Sequence, residues 1–342
     1  MLLKSEVVVV RGDIAESRHR VQCVVTNAAG SVRSATAEPD VVTSFRSAAK
    51  PFQLLPFVER GHADALGCSE RELAIMAASH SGGREHLALV QGLLDRLGLE
   101  ASSLACGYHE PQDPESLDDV RREPSRAGPI YNNCSGKHAG MLAMCRAEGW
   151  PLSGYERADH PLQLLMRRTV AECCGVPASS VLTGIDGCSV PVFGVPLARM
   201  AEGYARLAEA VGHGGDARAG ALQRIGRAMM AEPVVVEGVG RLATDLMLAA
   251  AGRIVAKSGA EGLLLVADTS RGEGIAIKCE DGAMRAVGPA AVELLLTLGV
   301  LRPAEVAGLG AHRKPPVANA AGLAVGWLEG HVAPVAGAQV RS

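Results

Sequence analysis

Aromatic residues make up only 3% of this 342-residue sequence, and neither sign of charge dominates, since 34 Lys and Arg against 37 Asp and Glu leave a net charge of −3. A nucleic-acid surface needs a basic surplus and flat rings for stacking, so no nucleic-acid partner is expected. No apolar run reaches the roughly 18 residues of a membrane span. Met1–Arg11 has one lysine and a short apolar run, without the apolar stretch and small-residue cleavage site of a secretory leader. C-x-x-C and H-E-x-x-H zinc signatures are missing, as are a Walker A loop and a G-x-G-x-x-G fingerprint. The nine cysteines are odd in number and scattered, which speaks against a disulfide framework. The expected location is therefore the reducing cytoplasm.

What is present is an ordinary globular composition, 48% hydrophobic and 21% charged, with 40 Gly and 18 Pro to form turns. A chain of this length can bury a large core without disulfides. β-Branched runs at Glu6–Arg11 and Arg20–Thr26, with a turn signal at Asn27–Gly30, predict an antiparallel region that continues through Val32–Thr36 and Val41–Phe45. Helical patterns follow. Ser69-Glu-Arg-Glu72 is a capping box, and Glu85–Leu97 carries apolar residues at helical spacing. Pro161–Val176, Val195–Val211, Gly220–Ala231 and Val239–Ala251 also read as helices. Late strands are expected at Gly262–Asp268 and in a hairpin of Gly274–Lys278 with Ala283–Val287, followed by a helix over Ala290–Leu298. Strands at both ends with helices between them predict one sheet assembled from both ends and covered by helices. The chain reads as a single catalytic α/β unit over residues 1–342, with a polar, proline-rich flexible loop near 109–129 that is either a flap or a division into two lobes.

Five stretches carry reactive residue types. Ser47-x-x-Lys50 places a serine and a lysine three apart, close enough on a helix for the amine to act as base. That role requires an amine pKa well below about 10.4, and Pro51 biases Lys50 away from helical geometry. Ser79-His80-Ser-Gly-Gly83 ends an apolar helix in glycines that let a ligand approach the backbone. Cys134-Ser135-Gly-Lys137-His138 opens a helix, whose N–H groups suit a carboxylate and acidify a thiol. Gly184-Ile-Asp186-Gly-Cys188-Ser189 reads as a strand ending in a tight loop, where Asp186 could hold an ammonium, orient a base or ligate a metal. Lys257-Ser-Gly-Ala-Glu-Gly262 precedes an apolar strand. Each has a bland counterpart: a capped helix, a helix end, a buried cysteine, an Asx turn, an exposed lysine. Cys134 and Cys188 could meet as two thiolates of a zinc site, which spacing alone does not decide. Cys173-Cys174 reads as core.

The combination, in this order along residues 6–330, resembles the class 3 L-asparaginases of the Rhizobium etli type. The carrying residues are Arg46-Ser47-x-x-Lys50-Pro51, Ser79-His80, Cys134-Ser-Gly-Lys137-His-Ala-Gly, Asp186-Gly-Cys188-Ser-x-Pro and Lys257-x-Gly-Ala-Glu-Gly, with Arg11-Gly-x-x-x-Glu16-Ser17-x-His19 near the start. One departure is Ala37-Glu-Pro-Asp40, where the family more often has Gly-Asp-Pro. The resemblance implies an α/β/α sandwich related to serine β-lactamases and penicillin-binding proteins, a homodimer, and hydrolysis of L-asparagine to L-aspartate and ammonia. It implies Ser47 as nucleophile with Lys50 as its base, Ser79 with Lys257 as a second serine–lysine pair, and one Zn2+ per subunit on Cys134, Lys137, Cys188 and water, assisting substrate binding.

Amide hydrolysis agrees with that assignment, because it needs an activated nucleophile, an oxyanion hole and a proton for ammonia. Lysines and zinc around one pocket would depress each other's ammonium groups. Backbone N–H groups near Ser47 or in Ser79–Gly83 are the expected oxyanion donors. Arg46 or the helix start at Ser135 would receive the substrate carboxylate, Glu16 or Asp186 its ammonium, and His80 is grouped with these binding residues. The alternatives are a glutaminase with the same machinery, a penicillin-recognising serine–lysine acyl hydrolase, which should also carry a Ser-x-Asn loop absent here, and a non-catalytic zinc-dependent binding protein.

Overall fold

The computed structural model describes residues Met1–Val335, which form two compact units. The first comprises Met1–Ala48, Val195–Gly212 and the described residues from Asp245 to Val335; the second comprises Ala49–Gly194 and His213–Thr244.

The first unit is built on an eight-stranded sheet. Its strands run in the spatial order Pro316–Ala318, Ala324–Pro334, Leu3–Arg11, Ile14–Asn27, Glu273–Cys279, Leu263–Asp268 and Ile254–Gly259, with Val32–Ala35 paired to the strand Ile14–Asn27. Neighbouring strands are antiparallel. The expected assembly from both chain ends is what forms: Val7 pairs with Gly330 on one side and His19 on the other. Strand parity identifies the layers. Gly330, Val7, His19, Val21 and Cys23 share one face, whereas Thr26 and its partner Gly274 lie on the other. A Cβ at Gly330 would strike the Pro289 carbonyl of the helix Met284–Thr297. One at Gly274 would strike the Ala201 carbonyl of the helix Leu197–His213. Helices therefore cover both faces, an α/β/α arrangement of mixed α/β class. The strand Leu263–Asp268, covered on both sides, is buried at every residue, which is why it reads as a continuous apolar run.

The predicted hairpin after Lys278 does not form. Cys279–Gly282 leads into the helix Met284–Thr297, and the Asp281 carboxylate accepts the Ala283 N–H at 3.0 Å. The strand Glu273–Cys279 is already paired on both edges, by Ile14–Asn27 and Leu263–Asp268, so no edge remains for Ala283–Val287.

The second unit is mainly helical, with one antiparallel hairpin of Leu182–Ile185 and Pro191–Pro196. The Ser69 capping box is formed with Glu72, starting the helix Glu70–Met76. Pro51 does not prevent a helix: Lys50–Glu59 is helical with the proline in its first turn, where an N–H would lack a partner anyway. The stretch 109–129 is not a plain loop, for Asp113 caps the helix Pro114–Arg122 by accepting the Ser116 N–H at 2.9 Å. No helix among the described residues is long and apolar enough to cross a membrane.

Candidate active site

In the second unit, the buried side chain of Lys50, 1% exposed, leaves the first turn of its helix and meets the start of the Ala77–Gly83 segment. Its ammonium donates to the Ala78 carbonyl and, at 2.8 Å, to the Ser79 hydroxyl. The backbone of this segment is fixed from two sides: Ser79 N–H donates to Val236 C=O at 2.9 Å and His80 N–H to Asn133 C=O at 3.1 Å. His80 is buried, its Nε2 is 2.9 Å from the Ser135 hydroxyl, and its Nδ1 accepts the Gly82 N–H at 3.1 Å. Both ring nitrogens are therefore engaged within the protein. Ser135 is also buried and donates its hydroxyl to Ile130 C=O at 2.8 Å.

The helix Ser135–Glu148 starts just after its N-cap Cys134, within the stretch expected to open a helix. Asn132, part of the same reactive stretch but given no role by the sequence alone, fixes that start: its carbonyl oxygen accepts the Cys134 N–H at 2.9 Å and its amide donates to Cys106 C=O at 2.9 Å and Gly107 C=O at 3.1 Å. Cys134, Lys137 and Cys188 come together and are all buried. Lys137 Nζ donates to Cys188 Sγ at 3.0 Å. The hydrogen bond from Cys188 holds the Cys134 thiol well below its usual range, with Lys50 and Lys137 adding positive charge, and Cys188 moves up correspondingly. Burial pulls the Lys137 ammonium down, but Cys188, Cys134 and Asp186 outweigh it and hold the group above its ordinary value. Asp186 is half-buried in the hairpin loop, whose turn is closed by Asp186 N–H to Val190 C=O at 2.9 Å and by a positive φ of 74° at Ser189. Among the described residues no group of three or more His, Cys, Asp or Glu is placed to hold a metal; what the cluster offers is two thiols and one amine.

In the first unit, Ser47 is half-buried in the 3-10 turn Arg46–Ala49, which is anchored where Tyr204 donates its hydroxyl to Ala48 C=O at 2.8 Å. Arg46 has a φ of 45°, and its Cβ lies 3.4 Å from where Gly259 would carry one. Lys257, fully buried, pairs through Leu265 with Ala276, so Lys257 and Gly259 share the sheet face of Gly274 and the Tyr204 helix. Its ammonium donates to Ser258 C=O at 3.0 Å. Glu16 is exposed and ion-paired with Arg11 at 2.9 Å. His19, noted only as part of a motif, bonds Asp281 at 2.5 Å and accepts from Arg285 at 3.1 Å.

A buried lysine on a serine hydroxyl, beside a segment of ordered backbone, is the equipment of a serine–lysine acyl-transfer centre. The family model described as L-asparaginase II matches residues 7–329, and the chain belongs to that family. No curated protein matches the sequence. Among solved structures it is similar to Mglu in its native form in 4.3 M NaCl, with 17% identity and a TM-score of 0.43 over 84% of this chain and 61% of that one. It is also similar to the Bacillus subtilis glutaminase YbgJ in covalent complex with 5-oxo-L-norleucine, with 12% identity and a TM-score of 0.36 over 83% and 89%. The chain thus spans about three fifths of the first Mglu chain.

Proposed function

We propose that this protein hydrolyses the side-chain amide of L-asparagine to L-aspartate and ammonia. The observation that carries the reading is the buried Lys50 amine on the Ser79 hydroxyl, in a chain of the L-asparaginase II family. Ser47, three residues before Lys50, is the nucleophile. The Lys50 ammonium first gives a proton to solvent; the neutral amine then takes the Ser47 hydroxyl proton as Oγ attacks the amide carbon, and the tetrahedral oxyanion is met by backbone N–H groups. The C–N bond then breaks, the proton goes to the departing nitrogen, and ammonia leaves a β-aspartyl ester on Ser47. Water attacks that ester by the reverse proton route and releases aspartate. Ser79 and Lys257 take the second serine–lysine roles; Arg46 and the Ser135 helix start are assigned to the substrate carboxylate, Asp186 and Glu16 to its ammonium.

The donor set at Cys134, Lys137 and Cys188 fits zinc, since two soft thiols and an amine are gathered in a buried site. One zinc per subunit held there would supply Lewis acidity that anchors the substrate. Lys137 must lose its proton to act as a ligand, because an ammonium has no lone pair. The same reading makes the protein a cytoplasmic homodimer.

A second reading has support of its own: the Lys50–Ser79 hydrogen bond equips Ser79 as the nucleophile. Glutamine differs from asparagine by one methylene, worth only about 1–3 kcal/mol of discrimination. Ammonia release from both amides, measured for the wild type, Ser47→Ala and Ser79→Ala, tests the whole assignment. Mass spectrometry of quenched enzyme locates the ester. Release from asparagine that is lost in Ser47→Ala, with the ester on the Ser47 peptide, is expected. An ester on Ser79 transfers the nucleophile role, and no release from either amide with zinc present ends the assignment.

A further inference from the structure

The most completely defined polar arrangement outside the reacting groups lies around two histidines. The rings of His80 and His86 stack with centroids 5.1 Å apart and planes 16° from parallel. Each Nδ1 accepts a backbone N–H, from Gly82 at 3.1 Å for His80 and from Gly83 at 3.2 Å for His86. An accepting Nδ1 leaves the proton of a neutral imidazole on Nε2. That proton has a matching acceptor in both cases. His80 Nε2–H meets the Ser135 oxygen at 2.9 Å, and His86 Nε2–H meets Val234 C=O at 3.0 Å. Ser135 passes the direction on by donating to Ile130 C=O. The two rings therefore tie three segments together: Ser79–Gly83, Ile130–Ser135 and Val234–Val236, the last of which accepts the Ser79 N–H. Gly82, at φ 79°, has no room for a side chain, since a Cβ would lie 2.9 Å from Pro111 Cβ.

We propose that His80 and His86 are a stacked pair of neutral, Nε2-protonated imidazoles that positions the Ser79 segment against the start of the Ser135 helix, with His80 a positioning residue rather than a substrate ligand. The proposal rests on the serine–lysine amidase reading above. A charge on either ring would place a second proton on Nδ1, facing the N–H it now accepts. Burial opposes that charge on both rings, as do His86, Lys50 and His109 for His80, and Asp113 near His86 favours it without outweighing burial.

The first test needs no substrate. Nitrogen-15 NMR of the wild type should show both histidines protonated at Nε2 and bare at Nδ1; the opposite tautomer in either ring overturns the proposal. Two substitutions then separate the bonds. His80→Asn keeps an acceptor for Gly82 and loses Ser135, while His80→Gln reaches Ser135 and loses Gly82. Hydrogen exchange in Ser79–Gly83 should quicken in both, and unchanged exchange in both overturns the proposal whether or not any amide is hydrolysed. With asparagine, kcat should fall about 10-fold in His80→Asn and about 100-fold in His80→Gln, the scale of a misplaced reacting group, with KM within about threefold. His86→Phe, which keeps the stack and removes both bonds, should behave like His80→Gln. A raised KM with unchanged kcat would make His80 a substrate ligand. Wild type inert toward both amides but showing the stated tautomers and exchange would remove the amidase reading and leave the structural pair standing.

Discussion

A single hydrogen atom decides how closely the helix Ser135–Glu148 can approach the end of the helix Glu70–Met76. A Cβ on Gly136 would fall on the Ile75 carbonyl, and one on Gly140 would sit 3.1 Å from Met76 Cγ. Gly136 lies between Ser135 and Lys137, so its close approach also sets where those side chains start. Gly136→Ala should destabilise by about 1–3 kcal/mol through overpacking, seen as a lowered Tm, and should reduce activity with it. Gly92 is the control: it lies inside the helix Arg84–Leu97 with nothing near its missing side chain. Gly92→Ala should raise stability by about 0.5–1 kcal/mol, because it only removes unfolded-state freedom. Asn132 acts at the same scale. In Asn132→Asp an oxygen would face the carbonyls of Cys106 and Gly107 in place of the donor they now share. Leaving those partners unmatched should cost about 1–3 kcal/mol. If the zinc assignment holds, metal per chain after dialysis should fall as well, because Asn132 orients Cys134.

At the scale of elements, local signals were legible where the local backbone settles the outcome. The Ser69 capping box predicts the start of its helix, and both of its reciprocal bonds form. Ser69→Ala should therefore cost about 1 kcal/mol, measured as a shift in denaturation midpoint at constant slope. The stretches around Ser79, Cys134 and Cys188 stood out because reactive residues crowd beside glycines, and Cys134, Lys137 and Cys188 do meet. What was not legible depends on partners far along the chain. The false strand at Ala283–Val287 has suitable residues, but its neighbour's edges were already taken by Ile14–Asn27 and Leu263–Asp268. The strand Ala324–Pro334 was missed because two of its positions are glycines of poor strand propensity. Gly326 and Gly330 are needed there, since a side chain would strike Val10 and Pro289. His86 gave no signal either, for its role depends on a carbonyl 148 residues away.

For the whole molecule, the buried imidazoles set the acid side of stability. Burial holds His80 well below the ordinary histidine range, and it lowers His86 too, despite the hydrogen bond to Val234 and the charge of Asp113. In the unfolded chain both return to about 6.5. Below that pH the unfolded state binds protons that the folded state refuses, so stability falls as pH falls. The loss continues down to the depressed folded values and vanishes above the unfolded one. Carboxylates held low by partners, such as Asp281 against burial through its bond to His19, lose their contribution only further down, below the ordinary carboxylate range. Together with His138, which burial likewise holds well below the ordinary histidine range, the two histidines are therefore the groups to examine between pH 6.5 and 5. The Tm should decline across that interval, with proton uptake on unfolding detectable by repeating calorimetry in buffers of different ionisation enthalpy. In His86→Phe the decline should be shallower, since one titrating ring is gone, even though the variant starts from a lower Tm at pH 7. An unchanged slope would mean that His86 takes up its proton in the folded protein, and the stack would then be charged where its bonds to Gly83 and Val234 require it to be neutral.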